Sequence, residues 1–104
     1  MAIDDKTTKR IDKMIQKVER LINSNGNPVA NHFSVVDTDG VKYLQSYQST
    51  VVKLDTDGAV TLGADWDYSA TTLKYVKYWL GISDTVKQMR KRIADGQYTL
   101  DTNL

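Results

Sequence analysis

A four-residue motif occurs twice in this chain and does more than any other feature to limit its fold. Asp37-Thr38-Asp39-Gly40 returns as Asp55-Thr56-Asp57-Gly58, each copy between runs rich in Val, Leu, Thr and Tyr. The first Asp of each copy can accept bonds from backbone amides two residues on, and the Gly can take positive φ without a Cβ clash. That is the chemistry of a type I turn closed by a glycine bulge, a common hairpin connection. Strands are therefore predicted near 31–37, 41–47, 50–55 and 59–63, with a bend or a further turn between Ser46 and Thr50. Connections this short force neighbouring strands to pair antiparallel.

A calcium reading of the same loops fails on ligand spacing. An EF-hand loop needs oxygen ligands at its first and last positions, with Gly at the sixth. Placing Gly40 sixth puts Val35 first and Ser46 last; placing Gly58 sixth puts Lys53 and Ala64 there. No metal site is expected. His32 is the only imidazole and is expected at a surface or strand end. The chain has no cysteine, which excludes disulfides, thiolate zinc sites and thiol catalysis. No Gly-x-Ser-x-Gly elbow, Gly-x-x-x-x-Gly-Lys loop or Gly-x-Gly-x-x-Gly is present. Asp65 and Asp67 could share acid/base work only if their segment is extended. The expectation is a protein that is not an enzyme and takes no cofactor.

Upstream of the repeat, residues 1–25 read as a helix from about Asp5 to Asn23. Asp4 or Asp5 would cap it, and Asn23-Ser24-Asn25-Gly26-Asn27-Pro28 would stop it. Ile11, Met14, Ile15, Val18, Leu21 and Ile22 fall on one helical stripe. Lys6, Lys9, Arg10, Lys13, Lys17 and Arg20 fall on a second stripe, and Asp5, Asp12 and Glu19 on a third. Ile11, Ile15, Val18 and Ile22 suit both packing on the chain's own sheet and pairing with a second copy, a homodimer through this helix. Downstream, residues 69–95 read as two helices. Ser69 caps the first, Ala70 to Leu80, which Gly81 stops. Ser83 caps the second, about Asp84 to Ala94, and Gly96 ends it. Tyr98-Thr99-Leu100, within a tail over 96–104, reads as a short final strand or an ordered tail.

The whole is predicted as a single α+β domain: an N-terminal amphipathic helix, an antiparallel meander of about four strands over 29–63, and two short C-terminal helices. At 104 residues, 40% hydrophobic and 26% charged, one domain is what the length supports. No apolar run is long enough for a membrane span, and no secretory leader is visible, so a cytoplasmic protein without membrane partners is expected.

The net charge of +1 hides two basic ends around an acidic middle, where Lys42 and Lys53 face six Asp between residues 26 and 68. Basic helix faces suit phosphate contact. The candidate nucleic-acid residues are Lys9, Arg10, Lys13 and Lys17, then Lys74 and Lys77 interleaved with Tyr75 and Tyr78, then Lys87, Arg90 and Lys91. The competing reading is a solvated amphipathic face. Tyr75 and Tyr78, with the Ile11, Ile15, Val18 and Ile22 stripe, are the candidate protein-interface residues. Trp66 and Trp79 are expected in the core.

The segments Tyr43-Leu44-Gln45-Ser46-Tyr47, Val51-Val52, Trp66-Asp67-Tyr68-Ser69-Ala70-Thr71-Thr72-Leu73-Lys74-Tyr75 and Trp79-Leu80 carry a likeness. Over roughly residues 41–95 the chain resembles small uncharacterised proteins of phages, prophages and mobile elements of Gram-positive bacteria. Tyr75 stands where that pattern has His, and Trp79 where it has Phe. The resemblance implies a bacterial host cell and no mechanism. Together these readings lead to a non-catalytic binding module of phage or mobile-element type. It would act by contact with a host or phage protein or with nucleic acid. The alternatives are direct nucleic-acid binding through the basic faces, and inhibition of a host or defence protein by an acidic nucleic-acid mimic.

Overall fold

The computed structural model describes residues 16–104. Its order is β1 (Lys17–Ile22), β2 (Pro28–Val36), β3 (Lys42–Ser46), β4 (Ser49–Leu54), β5 (Val60–Gly63), α1 (Ala70–Leu80), α2 (Val86–Ala94) and β6 (Tyr98–Asp101). The strands form one six-stranded sheet in the order β1-β2-β3-β4-β5-β6. Pairing is antiparallel from β1 through β5 and parallel between β5 and β6.

This overturns the predicted fold class. The sheet has six strands rather than about four, it is mixed rather than antiparallel, and Lys17 to Ile22 are strand rather than helix. The earlier part of the expected helix, with its Asp4 or Asp5 cap and Lys9, Arg10, Ile11, Lys13 and Ile15, lies outside the described residues.

The reason for β1 is its turn. Asn23 N donates to Asn27 O at 2.9 Å, and Gly26 N donates to Asn23 O at 3.0 Å. Asp37 with Val41 and Gly40 repeats that pair of bonds at 2.9 and 3.1 Å, and Asp55 with Ala59 and Gly58 repeats it at 2.9 and 2.9 Å. Gly26, Gly40 and Gly58 have φ of 81°, 84° and 91°, the left-handed region that glycine enters without strain. Asn23-Ser24-Asn25-Gly26 is thus a third copy of the hairpin turn, with Asn in place of Asp. What reads as a helix stop reverses a strand.

The helices lie on one face of the sheet. Paired residues of neighbouring strands share a face, so His32 and Ser46, Ser34 and Leu44, and Val52 and Leu62 point the same way. Trp79 Nε1 donates to Ser34 Oγ at 3.1 Å, which identifies that side as the helix side. Leu44, Val52, Leu62, Val76 and Met89 are fully buried between the layers. At about 25 cal/mol per Å² of apolar area, this layer contact is the main stabilising term. Val18, Phe33, Val35, Tyr43 and Lys53 occupy the opposite face.

Helix caps set the layer's ends. Ser69 is extended and its Oγ accepts from Thr72 N at 3.1 Å. The cap of α2 is Thr85, not Ser83. Its Oγ1 accepts from Gln88 N while Gln88 Oε1 accepts from Thr85 N, a reciprocal capping box. Trp66 is buried and Trp79 is half-buried against the core.

Candidate functional site

The β3–β4 connection is built differently from the three glycine turns. Only Tyr47 and Gln48 separate Ser46 from Ser49, and Tyr47 takes φ of 57°. Two-residue hairpin loops need positive φ and normally use Gly, Asn or Asp for it. A tyrosine there carries backbone strain of order 1–2 kcal/mol. Asn31, across the sheet in β2, also has positive φ, 62°. The two strained residues are bonded, with Tyr47 N donating to Asn31 O at 2.6 Å.

Beside them lies a cavity of about 630 Å³. Its walls come from Asn31 in β2, the Ser46–Ser49 turn, Val51 in β4, Asp65 and Tyr68 after β5, and Thr72 in α1. The close approach of β4 and β5 that shapes this end requires Gly63, where a Cβ would collide with the carbonyl oxygen of Thr50. Asp65 Oδ2 accepts from Ser49 Oγ at 2.8 Å, fixing the loop after β5 to the β3–β4 turn. Tyr47 is 57% exposed and Tyr68 80%.

The inner wall is a buried hydroxyl chain. His32 Nδ1 lies 2.8 Å from Ala30 O, which can only accept, so Nδ1 carries a proton. In the neutral ring Nε2 then accepts from Ser46 Oγ at 3.0 Å. Ser46 in turn accepts from Thr72 Oγ1 at 3.2 Å, and Thr72 accepts from Ser69 Oγ at 3.2 Å. His32 is 1% exposed, Ser46 4% and Thr72 3%. The expectation of a surface or strand-end histidine is therefore wrong: His32 is interior to β2 and packs against Tyr75, with ring centroids 4.8 Å apart and planes tilted by 53°. Among the described residues no buried side-chain nitrogen or oxygen lacks a partner. The chain of bonds ties α1 to β2 and β3 at the cavity wall.

The acids divide. Asp65 joins the cavity, whereas Asp67 accepts from Arg90 Nη2 at 2.7 Å on the α2 side, so the two carboxylates hold different partners. Asp37 is buried. Its Oδ1 accepts from Asp39 N and Val41 N, and its Oδ2 accepts from Tyr43 Oη at 3.0 Å. Burial, followed by the Asp37 bond and the charges of Asp37, Asp55 and Asp39, pushes the Tyr43 hydroxyl up to about 12. Among the described residues no three His, Cys, Asp or Glu side chains gather in a metal-binding group.

The basic candidates are spread over three elements. Lys17 sits in β1 and pairs with Glu19 at 2.8 Å, which raises its own pKa through that bond. Lys74 and Lys77 lie on α1, where Lys74 Nζ stands 5.3 Å from the centroid of the Tyr75 ring. Lys87, Arg90 and Lys91 lie on α2, with Arg90 held by Asp67 and Lys91 by Asp95 at 3.0 Å. Among the interface candidates, Val18 and Ile22 are exposed strand residues, 53% and 46%, so no helical seam runs through them. Tyr75 is half-buried on His32. Tyr78 donates to Ile22 O at 2.7 Å, fastening α1 to β1.

No described helix is long and apolar enough to cross a membrane. Searches of curated proteins and of solved structures find no match. Residues 16–96, from the residue before β1 to the glycine that follows α2, match the profile of a family of unknown function, DUF8033, and the chain belongs to that family.

Proposed function

We propose that the protein is a non-catalytic binding module that engages a partner protein at the cavity between the β3–β4 turn and the N-terminus of α1. The observation that carries this reading is the pair of rings at the cavity, Tyr47 and Tyr68, one of them held exposed at the cost of a strained turn. Exposed tyrosines supply large contact area with few rotatable bonds, a recurring property of interface hot spots. Ser46, the one hydroxyl bonded to the histidine, is enclosed in the His32–Thr72 chain, which supports a structural role over a nucleophilic one. Such a module would act in the cytoplasm of a bacterial host, a reading that rests on the likeness to phage and mobile-element proteins alone.

Nucleic-acid contact is the weaker alternative, because Lys17, Arg90 and Lys91 already hold carboxylates. The test is capture from nuclease-treated bacterial lysate with the parent and with a Tyr47→Gly/Tyr68→Ala double variant. A partner retained by the parent and lost by the variant supports the reading. Equal capture by both overturns it. So does salt-sensitive oligonucleotide binding of undiminished strength in the variant, measured by fluorescence anisotropy.

A further inference from the structure

We infer that the cavity receives a cationic side chain, specifically an arginine of the partner; this rests on the proposed function and names the chemistry of the same site. Three features point to a guanidinium. Asp65 is the one charged residue in the lining, and neither lysine nor arginine is among its wall residues. A carboxylate has about four acceptor positions, and one donor, Ser49 Oγ, reaches Oδ2. The remaining capacity suits a donor-only group. Asn31 and Gln48 put two further amide residues in the same lining.

The aromatic rings supply the second half of the match. A cation over a tyrosine face is attracted by the ring quadrupole, and a planar guanidinium stacks there while its edge donates bonds to a carboxylate. Tyr47 and Tyr68 line the cavity with Asp65 and are its two most exposed rings. An ammonium would use the charge but not the planar stacking, so arginine is favoured over lysine. At about 630 Å³ the space admits the side chain together with part of the backbone that bears it.

The experiment titrates the full chain with three capped tripeptides, glycine-arginine-glycine, its lysine analogue and its citrulline analogue, followed by backbone amide shifts. Citrulline keeps the shape and removes the charge. The arginine peptide should produce saturable shifts centred on Gln48, Ser49, Asp65 and Tyr68, and the citrulline peptide should bind about tenfold more weakly, the loss expected of one bond to a charged group. Asp65→Asn, which keeps an acceptor for Ser49, should erase that difference while leaving shifts elsewhere unchanged. Equal binding of arginine and citrulline peptides overturns the inference. Shifts centred on the Asp37 or Asp55 turns, or the absence of binding by any of the peptides, overturn it as well. Lysate capture that depends on Tyr47 and Tyr68 would then still stand, so the two readings fail separately.

Discussion

Tyr43 shows how one side chain links a turn to the sheet it closes. Its hydroxyl donates to Asp37, the residue whose other oxygen organises the first Asp-Thr-Asp-Gly turn. The folded state holds the phenol proton up to about 12, against an ordinary value of 10.0. Between those values the unfolded chain gives up the proton and the folded chain keeps it. The stability contributed by the neutral phenol is therefore complete below pH 10 and declines as pH rises from 10 toward 12. Urea melts of the parent across that window should show this decline. Tyr43→Phe should show a shallower one, with a lower starting stability at pH 8 because Asp37 loses a partner. An equal pH slope in both proteins would mean that Tyr43 does not contribute to it.

At the scale of elements, β1 is where reading the sequence and folding the chain part company. Ile11, Met14, Ile15, Val18, Leu21 and Ile22 recur at helical spacing, and Lys17–Ile22 has no apolar–polar alternation to set against it, since Arg20 falls in line with Val18 and Ile22, and Leu21 with Lys17 and Glu19. Periodicity therefore favours a helix that the strand pairing overrules. The deciding signal was Asn23-Ser24-Asn25-Gly26, whose Asn–x–Asn–Gly pattern matches the two Asp turns once Asn and Asp are treated as one turn-forming class. The two helices and the Asp turns were legible because glycines and periodicity agree at those positions and Ser69 caps α1, although α2 is capped by Thr85 rather than Ser83. The cavity was not, because His32 meets Ser46, and Ser49 meets Asp65, only through sheet register and the β5–α1 connection. The strand assignment changes what a charge at position 18 should do. On a buried helical stripe Val18→Asp would bury a carboxylate. On an exposed edge strand it should cost about 1 kcal/mol or less, the span of strand propensities. A loss of several kcal/mol in a urea melt would show that Val18 is covered.

For the molecule as a whole, five strands are joined by short turns, and the sixth joins only after the chain has passed through both helices. β6 pairs parallel with β5, Val60 opposite Tyr98 and Leu62 opposite Leu100. Parallel neighbours need such a crossover, and its closure has an entropic cost that the hairpins do not carry. Time therefore enters the architecture. The hairpins rest on local pairings and can organise early, whereas β6 can dock only once its crossover is in place. Leu44→Ala, deep in the meander, should slow refolding. Tyr98→Ala should leave refolding nearly unchanged and speed unfolding, as chevron plots of the two variants would read directly. Were β6 to undock, β5 would become the sheet's edge while the hairpins of β1 to β5 stayed paired.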